Sequence, residues 1–145
     1  MNISKALPLG GSAQQITATY YSLLEDRVLK ASKRSLYSKW VLKAMEDVNN
    51  HYPDPDLSLE TVAERLQISG IHLRTTFKKE TGQSLLDYTT EYRIEAAKRL
   101  LAETDLKIYE IAERVGYKTS QYFSQVFKRC TGFQPKDYMQ REGRD

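Results

Sequence analysis

The sequence predicts an all-α fold: two helix-turn-helix units joined by a linker helix, about seven helices in all, with an N-terminal tail helix before them. Three observations predict it. Apolar residues recur at helical spacing almost without a break from Leu36. No segment alternates with the period of two that a half-buried strand needs. One two-helix pattern occurs twice. Composition bounds the rest. The 145 residues include 22 Lys and Arg, 19 Asp and Glu, 7 Gly and 4 Pro, which excludes collagen-like, low-complexity and disulfide-scaffold classes. A single cysteine, Cys130, cannot close an internal disulfide. No stretch nears 18 apolar residues, and residues 1–11 lack a basic-then-apolar leader, so the expected address is cytoplasmic, with no membrane partner.

Residues 1–35 read as a tail or linker. Pro8, Gly10 and Gly11 make a loose lead-in. Ser12 and Gln15 form a capping box, and Ile16, Tyr20, Leu23, Leu24 and Val28 form one narrow apolar stripe. Two uses of that stripe stand: packing on the main domain or on an upstream one, and dimerisation. The domain proper spans 36–145. Trp40, Val41, Ala44, Met45 and Val48 line a first helix that Pro53 and Pro55 stop near Tyr52. The first two-helix unit covers about 57–82. Ser58 caps its first helix, which carries Leu59, Val62, Ala63 and Leu66. After a turn near Ile68, Ser69 caps the second helix, Leu73 and Phe77 face inward, and Gly82 closes it. A linker helix follows over about 84–102, with Leu85, Tyr88, Tyr92, Ala96, Ala97 and Leu100 expected inside. The second unit covers about 106–132. Ile108, Ile111, Ala112 and Val115 carry its first helix, and Gly116–Tyr117 makes the turn. Phe123, Val126 and Phe127 carry its second helix, where Cys130 continues the inner stripe as a small apolar filler. Gly132 ends that helix, and Pro135 opens a last one over about 135–141.

The repeat is the strongest signal. Leu57, Ala63, Glu64 and Arg65 recur as Leu106, Ala112, Glu113 and Arg114 at an offset of 49. Phe77, Lys78, Thr81, Gly82, Asp87 and Tyr88 recur as Phe127, Lys128, Thr131, Gly132, Asp137 and Tyr138 at an offset of 50, so the extra residue falls in the turn. Ala63 and Ala112 are small enough to let the paired helices cross closely. The second helix of such a unit can enter a DNA major groove.

The segments AERLQISGIHLRTTFKKETG (63–82), YRIEAAKRLL (92–101), IAERVGY (111–117) and YFSQVFKRCTGFQPKDY (122–138) resemble the DNA-binding domain of AraC/XylS-type transcription regulators. The resemblance covers the 110 residues from Leu36. It implies sequence-specific binding of double-stranded DNA, a place at the nucleoid, and contact with RNA polymerase. It also implies a sensing domain upstream. Residues 1–35 are too few for one, so the chain reads as the output part of a longer ligand- or signal-responsive regulator, and as a fragment of it. The family pattern often has Arg where Thr75 and Gln125 stand; here Arg74 sits one place earlier.

Helical geometry at 100° per residue divides the second helix of each unit. With Leu73 and Phe77 inward, Ile71, Arg74, Thr75 and Lys78 face out. With Phe123, Val126 and Phe127 inward, Gln121, Ser124, Gln125 and Lys128 face out, and Ser120 leads. Arg suits a guanine edge, Gln an adenine edge, Ser either base, and Thr or Ile a thymine methyl. The base-reading candidates are therefore Ile71, Arg74, Thr75, Ser120, Gln121, Ser124 and Gln125. The phosphate candidates are Lys78, Lys79, Lys128 and Arg129, with the capped helix starts at Ser69 and Thr119. The same basic residues also suit a merely solvated face. Arg93 admits an ion pair with Glu95 or Glu64, and equally a phosphate contact. A linker of 19 residues is roughly 28 Å long, near the roughly 34 Å between successive major-groove segments on one DNA face. The unequal readers predict an asymmetric site.

No catalytic, nucleotide or dinucleotide motif occurs, and His51 and His72 stand alone, so neither an enzyme nor a cofactor nor a metal is expected. The alternative from another class is a helical protein–protein interaction module using Ile71 and Tyr122. Charge favours DNA once it is divided. The net +3 resides in residues 1–35, and the other 110 residues hold 17 charges of each sign. Within them, 69–83 carries +2 and 118–136 carries +4, leaving −6 elsewhere.

Overall fold

The structure, a computed structural model, describes residues 37–141. The tail-helix expectation lies outside the described residues. The chain divides into two units, Met1–Tyr37 and Ser38–Asp145, and the described residues of the second form seven helices. In chain order they are α1 (Lys39–His51), α2 (Leu59–Leu66), α3 (Gly70–Thr81), α4 (Leu85–Glu103), α5 (Ile108–Arg114), α6 (Ser120–Thr131) and α7 (Pro135–Arg141). No strand occurs among the described residues. Helices α1, α2 and α3 pack on one another, and α5 packs on α6. Helix α4 meets α3 on one side of the domain and α5, α6 and α7 on the other.

Local chemistry sets the helix ends. Ser58 and Thr61 form a reciprocal cap: the Thr61 N–H donates to Ser58 Oγ at 3.2 Å, and the Ser58 N–H to Thr61 Oγ1 at 2.9 Å. Ser69, Ser84 and Thr119 accept the N–H groups of His72, Asp87 and Tyr122 at 3.0, 3.0 and 3.1 Å. The repeat extends to the exits. Gly82 and Gly132 take left-handed φ values of +83° and +84°. Just before them, the Thr81 hydroxyl donates to Phe77 O at 2.7 Å and accepts the Gln83 N–H. The Thr131 hydroxyl does the same with Phe127 O at 2.8 Å and the Phe133 N–H.

Each unit has its own core. Val41, Ala44, Val48, Val62, Ala63, Leu73, Phe77 and Leu85 are buried around the first. Ile94, Ala97, Leu101, Ile111, Ala112, Val115, Phe123 and Phe127 are buried around the second. One ring pair anchors each: Phe77 meets Tyr88 edge-on at 5.5 Å, and Phe127 meets Tyr138 edge-on at 5.4 Å. Arg65 ties α2 to α1 by a two-pronged bond to Asp47, with nitrogen–oxygen distances of 2.9 and 2.8 Å.

Three expectations are corrected. The inner face of α4 is Leu85, Thr89, Arg93, Ile94, Ala96, Ala97 and Leu101, whereas Tyr88, Tyr92 and Leu100 are only half-buried. Two cores cover this helix, so its buried residues follow two rows and not one stripe. Thr89 tolerates burial because its hydroxyl donates to Leu85 O at 2.8 Å. Cys130 is exposed and fills no core. Periodicity gives its angle around α6 but not how far along α6 the neighbouring elements reach. Arg93 makes neither a Glu95 nor a Glu64 ion pair. Its Nε donates to Tyr52 O at 2.9 Å, its Nη2 to Asp54 O at 2.8 Å, and its guanidinium lies 5.3 Å from the Tyr117 ring centroid.

Gly116 sits against this group with φ +100°. A Cβ there would lie 2.3 Å from Tyr52 O and 2.8 Å from Arg93 Nε, whereas one on Gly82 or Gly132 would meet nothing. Urea unfolding should therefore separate the three. Gly82→Ala and Gly132→Ala should each lose about 1–2 kcal/mol from left-handed strain alone. Gly116→Ala should lose clearly more, because the backbone carbonyl it strikes cannot yield without moving the α1–α2 loop.

Candidate nucleic-acid interface

The second helix of each unit presents one bare ridge because the opposite ridge is its core. On α3, Leu73 and Phe77 are fully buried, and Ile71, Arg74, Thr75, Lys78 and Lys79 are exposed, Ile71 by 75%. On α6, Phe123, Val126 and Phe127 are buried, and Gln121, Gln125, Lys128 and Arg129 are exposed. Ser120 and Ser124 are half-buried. The candidate base readers thus lie on two helices built alike, with basic residues in the last turn of each.

Some of these side chains already have partners. Arg74 lies 3.9 Å from Glu60 of α2, both exposed. Lys118, just before α6, lies 3.1 Å from Asp56 in the α1–α2 loop, also exposed. Exposed pairs of this kind are worth under about 1 kcal/mol, so either cation can exchange its carboxylate for a phosphate or a base. Lys78 Nζ donates to Gly82 O at 3.2 Å, a helix-end role beside any other. Ser69 and Thr119 accept only the third N–H of their helices. The other N–H groups of the first turn have no intrahelical partner and suit an anion.

Two residues of this surface were missed or undervalued in the sequence. Tyr122, 54% exposed, stands beside Gln121 with its ring edge-on to Tyr117 at 5.8 Å. Its place one residue past a predicted reader was the available signal. Glu60 carried no signal, because only the crossing of α2 over α3 brings it to Arg74. An open groove of about 590 Å³ borders the start of α6, lined by Pro53, Pro55, Tyr109, Glu113, Tyr117 and Lys118 among others. No group of three or more His, Cys, Asp or Glu among the described residues is arranged to hold a metal ion.

The turn that delivers α6 is electrostatically distinctive. Tyr117 is buried, and its hydroxyl has no hydrogen-bond partner in ordinary geometry. Burial pushes its phenol pKa up, against the Arg93 charge, which pulls it down.

A family model described as a helix-turn-helix domain matches residues 62–141. The arabinose operon regulatory protein of Escherichia coli (strain K12) is 33% identical over 123 residues, which span 81% of this chain and 42% of that protein. The chain therefore spans less than half the length of this curated relative. Among solved structures, the C-terminal domain of AraT, a response regulator from Geobacillus stearothermophilus, aligns with a TM-score of 0.72 at 42% identity, covering 73% of this chain and 88% of that one. The DNA-binding domain of the global transcriptional factor AdpA, solved with a target DNA, aligns with a TM-score of 0.67 at 25% identity, covering 72% and 92%.

A raised phenol pKa has one sign. The stability it contributes is complete below the ordinary phenol value, about 10, and is lost as pH rises through the higher folded value. Tyr117→Phe keeps the ring contacts and removes the titration. Urea melts should find this variant at least as stable at pH 7, with a shallower loss than the parent above pH about 10.

Proposed function

The chain belongs to the AraC/XylS-type helix-turn-helix family, and from that premise we propose that it binds double-stranded DNA sequence-specifically, as the output part of a longer ligand- or signal-responsive transcription regulator. Helices α3 and α6 enter successive major-groove segments on one DNA face. Ile71, Arg74 and Thr75 read bases in the first segment, and Ser120, Gln121, Ser124 and Gln125 read them in the second. Ser69, Lys78, Lys79, Thr119, Lys128 and Arg129 hold the phosphates. The observation that carries this reading is the duplicated build: two capped helices, each anchored by one buried apolar ridge, each baring polar groups flanked by cations. Charge supports it, with +2 over 69–83, +4 over 118–136 and −6 over the rest of 36–145. A domain so polarised docks by one face. The remaining assignments, a sensing domain upstream, contact with RNA polymerase and a cytoplasmic place at the nucleoid, belong to the same proposal, as does the absence of catalysis.

Because Arg74 and Thr75 differ from Gln121 and Gln125, the site is asymmetric. The linker α4, 19 residues and roughly 28 Å, keeps the readers apart at a fixed distance, and DNA bends to meet both at a cost of a few kcal/mol in order of magnitude.

Selection of bound sites from random DNA at moderate salt tests this directly. The expected outcome is an asymmetric consensus whose footprint protects two successive turns, with affinity falling steeply as salt rises. Salt-insensitive binding, or one protected turn, contradicts it. Within the selected site, Arg74→Ala should relax discrimination at one position by roughly 1–3 kcal/mol, whereas Lys128→Ala should weaken all sequences about equally and reduce the salt slope by about one. Filter binding or anisotropy across base-substituted duplexes distinguishes the two patterns.

A further inference from the structure

The turns of the two units differ. In the first, Gln67 and Ile68 connect α2 to Ser69, with Gln67 left-handed at φ +59°. In the second, Val115 caps the end of α5, and Gly116, Tyr117 and an additional residue, Lys118, lead to Thr119. All three differences have a contact outside the second unit. Gly116 admits Tyr52 O and Arg93, which a Cβ would strike at 2.3 and 2.8 Å. Tyr117 lies under the Arg93 guanidinium, 5.3 Å from it. Lys118 reaches Asp56 at 3.1 Å. Tyr52 and Asp56 lie in the α1–α2 loop that leads into the first unit, and Arg93 stands midway along α4.

Arg93 is thus the meeting point of three parts: the linker helix, the entry loop of one unit and the turn of the other. It is 9% exposed. Its charge is held by two carbonyls and a ring face. An apolar residue would fill this space without the cost of burying a cation. What the guanidinium adds is direction: a rigid planar set of donors fixes the angle between the groups it joins. Pro53 and Pro55 stiffen the loop that supplies the carbonyls.

We infer that this joint, centred on Arg93, sets the angle and separation of α3 and α6, and so selects the spacing between the two elements of the DNA site. Arg93 acts as a positioning residue and touches no base. The inference rests on the DNA reading above. One base pair inserted between the elements displaces one of them by roughly 3.4 Å and about a tenth of a turn. A stiff joint rejects such a displacement, and a loosened joint accommodates it.

The test uses the full chain and labelled duplexes carrying the selected site, with the spacer unchanged, one base pair longer or one shorter. The parent protein should favour the unchanged spacer. Arg93→Met removes both hydrogen bonds and the cation–ring contact, and should cut that preference by about tenfold, the size of coupling a packed joint carries. Arg93→Lys keeps the charge and should give an intermediate preference; it carries the test if Arg93→Met does not fold. General destabilisation lowers binding to all three duplexes alike and leaves the ratio where it was. An unchanged ratio in either folded variant overturns the inference while leaving DNA binding intact. Failure of the parent protein to bind any selected duplex overturns the DNA reading itself, and this inference with it.

Discussion

Helix α4 must be covered by two separate cores at once, and the rest of the domain is arranged around that demand. Leu85 belongs to the first core and Ile94, Ala97 and Leu101 to the second. Between them, Thr89 and Arg93 are buried polar groups whose hydrogen bonds are satisfied by backbone carbonyls. A helix buried on one side only could have been an amphipathic spacer. One buried on two sides is a structural axis, and each unit is folded against it as well as upon itself.

The units show how little sequence a stable two-helix module needs. Each has an N-capping hydroxyl, a threonine and glycine at the exit, and one phenylalanine that meets a tyrosine on the next helix. These are short-range devices, worth about 0.5–2 kcal/mol for a cap and roughly 3–5 for a buried aromatic ring. They leave most of the outward ridge out of the core. Arg74 and Gln125 can therefore change without disturbing the fold, which is how a duplicated module comes to carry two unlike outward ridges.

Much of this was legible in the chain. Ser58, Ser69 and Thr119 announced helix starts, because capping depends on residues three apart. Gly82 and Gly132 announced ends, because only a residue without Cβ enters the left-handed region freely. Leu73, Phe77, Phe123 and Phe127 announced the buried ridge, since helical periodicity converts spacing into facing. Tyr88, Tyr92 and Leu100 misled, because periodicity presumes one covered side and α4 has two. Cys130 misled because facing the core direction is not the same as lying beside the core.

The sequence by itself therefore determined the helices, their repeat, the split between core and exposed ridges, and the family to which the chain belongs. All of these depend on residues within a turn or two of each other, or on a pattern copied at an offset. Only the tertiary structure decided the role of Arg93, the partnership of Arg74 with Glu60, and the need for Gly116. Those depend on Tyr52, Glu60 and Asp54 arriving from other elements. Separation along the chain says nothing of such approaches until two helices have crossed.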